Sequence, residues 1–146
     1  KTGQIDAVVI ALELGYALEA AKEWRVVSLL APFAPDFHTH VIFARDELIA
    51  NKPETVERFL RAWFETIAFM RANKERTVEI TAKVLNLDKA VIARVYDEQI
   101  KIFTSDGRFD PKALAVIRQS LVEMGILQQV PDDDVMFTTR FLPVKY

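Results

Sequence analysis

The sequence contains no cysteine, so disulfides and thiol chemistry are excluded, although this absence does not identify a compartment. Excess charge of either sign is missing as well. Nineteen Lys and Arg stand against 21 Asp and Glu, a net charge of −2 with a pI near 5.7, which leaves no electrostatic footprint for nucleic acid. No apolar run approaches the roughly 18 residues that a bilayer-spanning helix needs. The chain shows no G-x-S-x-G elbow, phosphate loop, Cys–His pair or H-E-x-x-H, which removes the common signatures of hydrolases, nucleotide enzymes and zinc proteases. Internal repeats and low-complexity tracts are also absent. The chain opens on Lys1 without a signal peptide, so we expect any export signal to have been removed or never to have been cloned with this stretch.

What is present is a large apolar content, 51% of 146 residues, enough for one domain with a substantial core. The chain is organised around Asn51 to Asn73. There Val56, Phe59, Leu60, Trp63, Ile67 and Met70 recur at intervals of three and four, the pattern of a helix with one apolar side. Pro53 suits the first helical turn, while Glu54, Glu57 and Arg71 complement the helix dipole. The periodicity predicts a core helix with Phe59 and Trp63 nearly inaccessible.

Upstream, Ile5–Ile10, Arg25–Leu30 and Thr39–Ala44 are short apolar runs and read as strands buried on both faces. Leu12 to Glu23 reads as a helix between the first two. Downstream the pattern is helical. Thr77 to Leu85 forms one helix, Asp88 caps another, and Asp110–Pro111 opens a third that Gly125 stops. Asp106–Gly107 marks a turn. Strands followed by helices predict an α/β protein, with strands too few to form a full sheet.

Several segments in succession, TGQIDAVVIA, HVIFARDELIANKPETVERFLRAWFETIAFM, DGRFDPKAL and MGIL with a closing FLPVKY, resemble one family. They are similar to the C-terminal half of ABC-transporter periplasmic substrate-binding proteins of the nitrate/sulfonate/taurine and thiamine-pyrimidine-precursor type. The resemblance implies the C-terminal half of a two-lobed, type II periplasmic-binding fold. Residues 1–38 would end the second lobe and cross over, and residues 39–146 would complete the first. It also implies a non-catalytic solute receptor outside the cytoplasm, partnered by a membrane permease and using no cofactor. Two further expectations stay open: a sensor domain of the same fold, and an enzyme related to eukaryotic pyrimidine-precursor synthases. Where the family often carries an aromatic or a Glu-Pro pair, this chain reads LELGY, which leaves the ligand class open among sulfonates, nitrate-like anions, carboxylates and pyrimidines.

The candidate ligand-binding residues are Asp6, Glu13, Phe37, His38 and Thr39. Asp6 either faces a cleft or caps a neighbouring turn. Glu13, with Tyr16, follows the first strand, where ligands sit in open α/β sheets, and would suit an amine-bearing ligand; ordinary surface placement is the plainer alternative. Phe37, His38 and Thr39 group an aromatic, an imidazole and a hydroxyl at the expected crossover. His38 and His40, two apart, lack the third ligand of a metal site. Asp132–Asp134 lack the Gly and Glu of a calcium loop and read as a solvated acidic turn. Finally, unpaired sheet edges predict that this 146-residue chain self-associates.

Overall fold

In the computed structural model, which describes residues 3–146, helices start and stop where the sequence punctuates them. Among the described residues the order is α1 (Leu12–Ala20), a 3-10 turn (Ala31–Phe33), α2 (Asp46–Asn51), α3 (Pro53–Ala72), α4 (Lys74–Leu85), α5 (Lys89–Gln99), α6 (Pro111–Glu123) and α7 (Asp133–Met136). The Asp88 carboxylate accepts from the Ala90 N–H at 2.7 Å and opens α5. Asp110 accepts from Lys112 N–H at 2.9 Å and opens α6, with Pro111 in the first turn. Each aspartate satisfies a donor that the helix itself leaves free. At the far end of α6, Gly125 adopts φ +71°. Its N–H donates to Val122 O and that of Ile126 to Leu121 O, both at 2.9 Å, the double bond of a Schellman stop.

No strand forms among the described residues, which corrects the expectation for Ile5–Ile10, Arg25–Leu30 and Thr39–Ala44. The fold here is mostly helical rather than α/β, and it is compatible with the C-terminal part of a binding-protein fold. The physical reason is pairing. A strand is stabilised by a neighbouring strand's backbone groups, and these three runs do not pair with one another. They keep the composition of strands while lacking the ladder.

The chain divides into two compact units. The first comprises Lys1–Leu29 and Phe69–Phe103. Its core has two parts, both packed against α5. Tyr16 of α1 packs with Val91 and Val95, supported by Leu12, Ala17 and Val26. Val78 and Ala82 of α4 pack with Ile92, supported by Leu87, Ala93 and Tyr96. Polar groups at these joints are satisfied. Thr77 is buried and its hydroxyl donates to Asn73 O at 2.9 Å, while Tyr96 O–H donates to Met70 O at 2.7 Å. Glu19 clasps the unit: one carboxylate oxygen accepts from Val26 N–H at 3.0 Å, and the other pairs with Arg94. The Arg94 guanidinium lies 3.6 Å from the centre of the Tyr16 ring, a cation–π contact. Hydrogen bonds from Arg94, and then from Val26, hold the Glu19 carboxyl below its ordinary value.

The second unit comprises Leu30–Ala68 and Thr104–Tyr146. Here Leu60, Phe64 and Ile67 of α3 are buried, as is Ala113 of α6. The C-terminal tail closes onto this core: Tyr146 stacks on Phe64 with centroids 6.3 Å apart, and Val144 N–H donates to Asp106 O at 2.9 Å. Arg140 Nη1 donates to Ile49 O at 3.2 Å and ties the tail to α2.

Phe59 and Trp63 are 53% and 42% exposed, which corrects their assignment to the core. Residues 56, 59, 63 and 70 lie about a quarter-turn round α3 from residues 60, 64 and 67. Both stripes are apolar, so periodicity alone does not choose between them. Packing within the second unit selects Leu60, Phe64 and Ile67. Phe59 and Trp63 instead stack on each other, centroids 6.1 Å apart.

Candidate functional site

The five residues singled out by sequence fall in different units. Asp6 and Glu13 belong to the first, and Phe37, His38 and Thr39 to the second. Asp6 is exposed in the irregular stretch before α1, so it does not open a strand. Glu13 is half-buried in the first turn of α1. Tyr16, grouped with it on the sequence, is only 4% exposed and is a core residue under Arg94 rather than a ligand contact.

Phe37, His38 and Thr39 remain adjacent in an irregular segment and behave differently. Phe37 is exposed, at 42%. The His38 ring meets Phe109 edge to face, with centroids 5.8 Å apart and planes at 79°. Its Nε2 is buried without a hydrogen-bond partner. Thr39 Oγ1 lies 3.0 Å from His40 Nδ1. The two histidines are thus engaged separately, one by an aromatic ring and one by a hydroxyl. Among the described residues no group of three or more His, Asp or Glu is arranged to hold a metal ion.

His38 leads to a feature that sequence did not reveal. Phe109 packs on Phe137, with centroids 4.6 Å apart, and both rings line a groove of about 430 Å³, broadly open to solvent, within the second unit. Leu114, Leu142 and Pro143 complete its apolar lining, while Arg108, Asp133 and Thr139 supply polar groups. This volume is in the range of small-molecule sites.

Local chemistry places these groups. The Asp106 carboxylate accepts from Arg108 N–H at 3.2 Å, Gly107 N–H donates to Thr104 Oγ1 at 3.1 Å, and Gly107 takes φ +80°. That turn delivers Arg108 and Phe109 to the groove. Asp132 precedes α7, whose first residue, Asp133, accepts from Arg118 Nη1 at 2.7 Å. The Asp132–Asp134 run is therefore the start of a short helix with one carboxylate engaged, rather than a free turn. Arg118 Nε is buried with no partner. The rim carries paired charges, Arg108 with Asp106 at 3.3 Å and Arg118 with Asp133.

Comparison with known proteins decides the family. The sequence profile described as NMT1/THI5 like matches residues 1–77, more than half of the chain. The chain belongs to the NMT1/THI5-like family. Proteins of Brucella abortus (strain 2308), Brucella suis biovar 1 (strain 1330) and Brucella melitensis biotype 1 are each 47% identical to it over 89 residues, 60% of this chain. Each is named provisionally as a binding protein. The matched stretch of this NMT1/THI5-like chain covers only 28% of the length of each relative. No solved structure matches it. No helix among the described residues is long and apolar enough to cross a membrane. The profile match contains all five residues chosen from sequence, whereas the groove residues from Arg108 onward lie beyond it.

Proposed function

We propose that this NMT1/THI5-like chain forms part of a solute-binding receptor for an ABC importer. The receptor captures a small organic or inorganic ligand in a cleft between two lobes and delivers it to a membrane permease. The observation that carries this proposal is the family match over residues 1–77, supported by the binding-protein names of the Brucella relatives. Residues 1–38 end one lobe and cross over, and residues 39–146 complete the other. The place of action is periplasmic or otherwise extracytoplasmic, and the role is capture rather than catalysis.

In this proposal Asp6, Glu13, Phe37, His38 and Thr39 contribute one wall of the ligand site. A receptor gains affinity by enclosing its ligand from both sides. With one wall, several hydrogen bonds worth about 1 kcal/mol each are lost. A deficit of about 4 kcal/mol turns a micromolar site into a millimolar one. Calorimetry of the 146-residue chain, and of a protein extended to the length of its relatives, tests this against sulfonates, nitrate, carboxylates and pyrimidines. We expect affinity only in the longer protein, weakened by His38→Ala and Glu13→Gln. Micromolar binding by the 146-residue chain would overturn the division of the site. Failure of the longer protein to bind any of these classes would overturn the receptor assignment.

A further inference from the structure

Of the two rings proposed for ligand contact, Phe37 and His38, only His38 meets another aromatic ring among the described residues. Residues 37–39 lie in an irregular segment and make no backbone–backbone hydrogen bond among the described residues, so neither helix nor sheet orients their side chains. What holds the His38 ring is its edge-to-face contact with Phe109, far along the chain. Phe109 is itself supported twice. The turn before it sets its backbone, with Gly107 at φ +80° and the Arg108 N–H on the Asp106 carboxylate at 3.2 Å. Phe137 packs on its ring, and the Phe137 N–H donates to Asp133 O at 3.1 Å at the end of α7. Asp133 in turn accepts from Arg118 of α6 at 2.7 Å. A line of contacts from α6 and α7 therefore ends on the His38 ring.

We infer that Phe109, buttressed by Phe137, is a positioning residue for His38 and fixes its imidazole before ligand arrives. The inference rests on the solute-receptor reading, in which His38 contributes to the ligand wall. A ring that rotates freely in the empty site loses that freedom when ligand binds, and affinity falls accordingly; a ring already held by its neighbours does not. An offset or edge-to-face aromatic pair supplies such a hold without a hydrogen bond. It also selects one face of the imidazole. Because Nε2 is buried, a ligand that reaches this ring does so through Nδ1 or a ring carbon. Phe109 and Phe137 lie outside the stretch matched by the family profile, so the residues that aim the proposed contact come from a different part of the chain than the contact itself.

The chain has two histidines, so imidazole NMR signals report His38 directly, and His40 is an internal control because its ring contacts Thr39 Oγ1 instead. In the 146-residue chain, Phe109→Leu should move the His38 ring signals towards free-histidine positions and increase its ring motion, leaving those of His40 unchanged. Phe109→Tyr keeps the ring and should keep the His38 signals, since the groove that Phe109 lines is open to solvent and a hydroxyl there meets water. Phe137→Leu should act like Phe109→Leu in weaker form. In a protein extended to the length of its relatives, calorimetry uses whichever of taurine, nitrate, benzoate or cytosine binds. Affinity should fall roughly three- to tenfold in Phe109→Leu and stay at the wild-type value in Phe109→Tyr. Introduced into His38→Ala, Phe109→Leu should weaken binding no further, as required of a residue that acts through another. His38 signals untouched by Phe109→Leu, or losses that add in the double variant, would overturn the proposal. So would unchanged affinity in Phe109→Leu once the His38 signals have moved. An extended protein that binds none of the four compounds would instead overturn the receptor reading, and the His38 signals would still decide whether Phe109 holds the ring.

Discussion

Replacing Phe64 and Phe59 by alanine, separately, tests which side of α3 holds the second unit together. Phe64 is 5% exposed and stacks on Tyr146, while its ring tip stands 3.0 Å from where a side chain on Gly107 would begin. Full burial of a Phe side chain is worth about 1.5–3 kcal/mol in transfer alone. A closed site adds a cavity contribution, so Phe64→Ala should cost about 3–5 kcal/mol. Phe59 is 53% exposed and leaves no enclosed void when truncated, because water fills the space. About half of the transfer value remains, and its stacking on Trp63 adds little, so Phe59→Ala should cost about 1 kcal/mol. Urea unfolding followed by far-ultraviolet circular dichroism, at one fixed protein concentration, gives both values from shifts in midpoint at constant slope. Equal losses for the two variants, or a larger loss for Phe59→Ala, would refute this packing of α3.

Gly107→Ala should destabilise the second unit by about 1–3 kcal/mol, because φ is +80° and the new Cβ would lie 2.9 Å from Leu142 Cδ2; a neutral urea midpoint would contradict this. Asp88→Ala and Asp110→Ala should each cost about 0.5–2 kcal/mol, with Asn replacements recovering most of the loss. Glu19 gives a pH prediction. Its carboxyl is held below the ordinary value, first by Arg94 and then by Val26. The stability it contributes is therefore fully present above the unfolded carboxylate pKa and lost as pH falls through the lower folded value. Glu19→Gln should show a shallower loss of stability on acidification between about pH 6 and pH 3, and parallel curves for the two proteins would refute the clasp.

The parts of this fold that were legible in the sequence are those whose stabilising partners lie within a few residues. Asp88 and Asp110 bond two residues ahead, and the Gly125 stop bonds three and five residues back within one stretch of chain. Such signals need nothing from the rest of the molecule. Thr39–Ala44 has the side chains of a strand, but a strand is made by its neighbour, and that information is not in the segment. The choice between Phe59 and Phe64 was hidden for a related reason. The helix offers two adjacent apolar stripes, and the tail's Tyr146, some 80 residues away, is one of the contacts that favour the second. His38 was recognisable by its residue type and position, whereas Phe109 and Phe137 come from separate loops with no periodic pattern.

These two kinds of structure are distributed unevenly, and the distribution bears on function. The stretch matched by the NMT1/THI5-like profile, residues 1–77, contains all three apolar runs that lack a strand ladder and all five residues proposed for ligand contact. Residues 78–146 hold α5 and α6, whose Asp caps are engaged, and the Gly125 stop. Backbone groups of these exposed runs are satisfied by water and remain available to a partner, whereas the groups inside the helices are already committed. A segment that remains unpaired is therefore one whose conformation a partner can set. In a receptor that closes on its ligand, such segments belong beside the site, because closure needs elements with two available arrangements rather than elements already fully satisfied. Phe37, His38 and Thr39 lead directly into the unpaired run at 39–44, so pairing of that run would fix the backbone that carries them. It follows that pairing at 39–44 and ligand affinity at His38 should be coupled. In a protein extended to the length of its relatives, Ile42→Pro should weaken ligand binding although residue 42 itself contacts no ligand in this proposal. Unchanged affinity in that variant, with the ladder shown to be lost by hydrogen exchange, would separate the two.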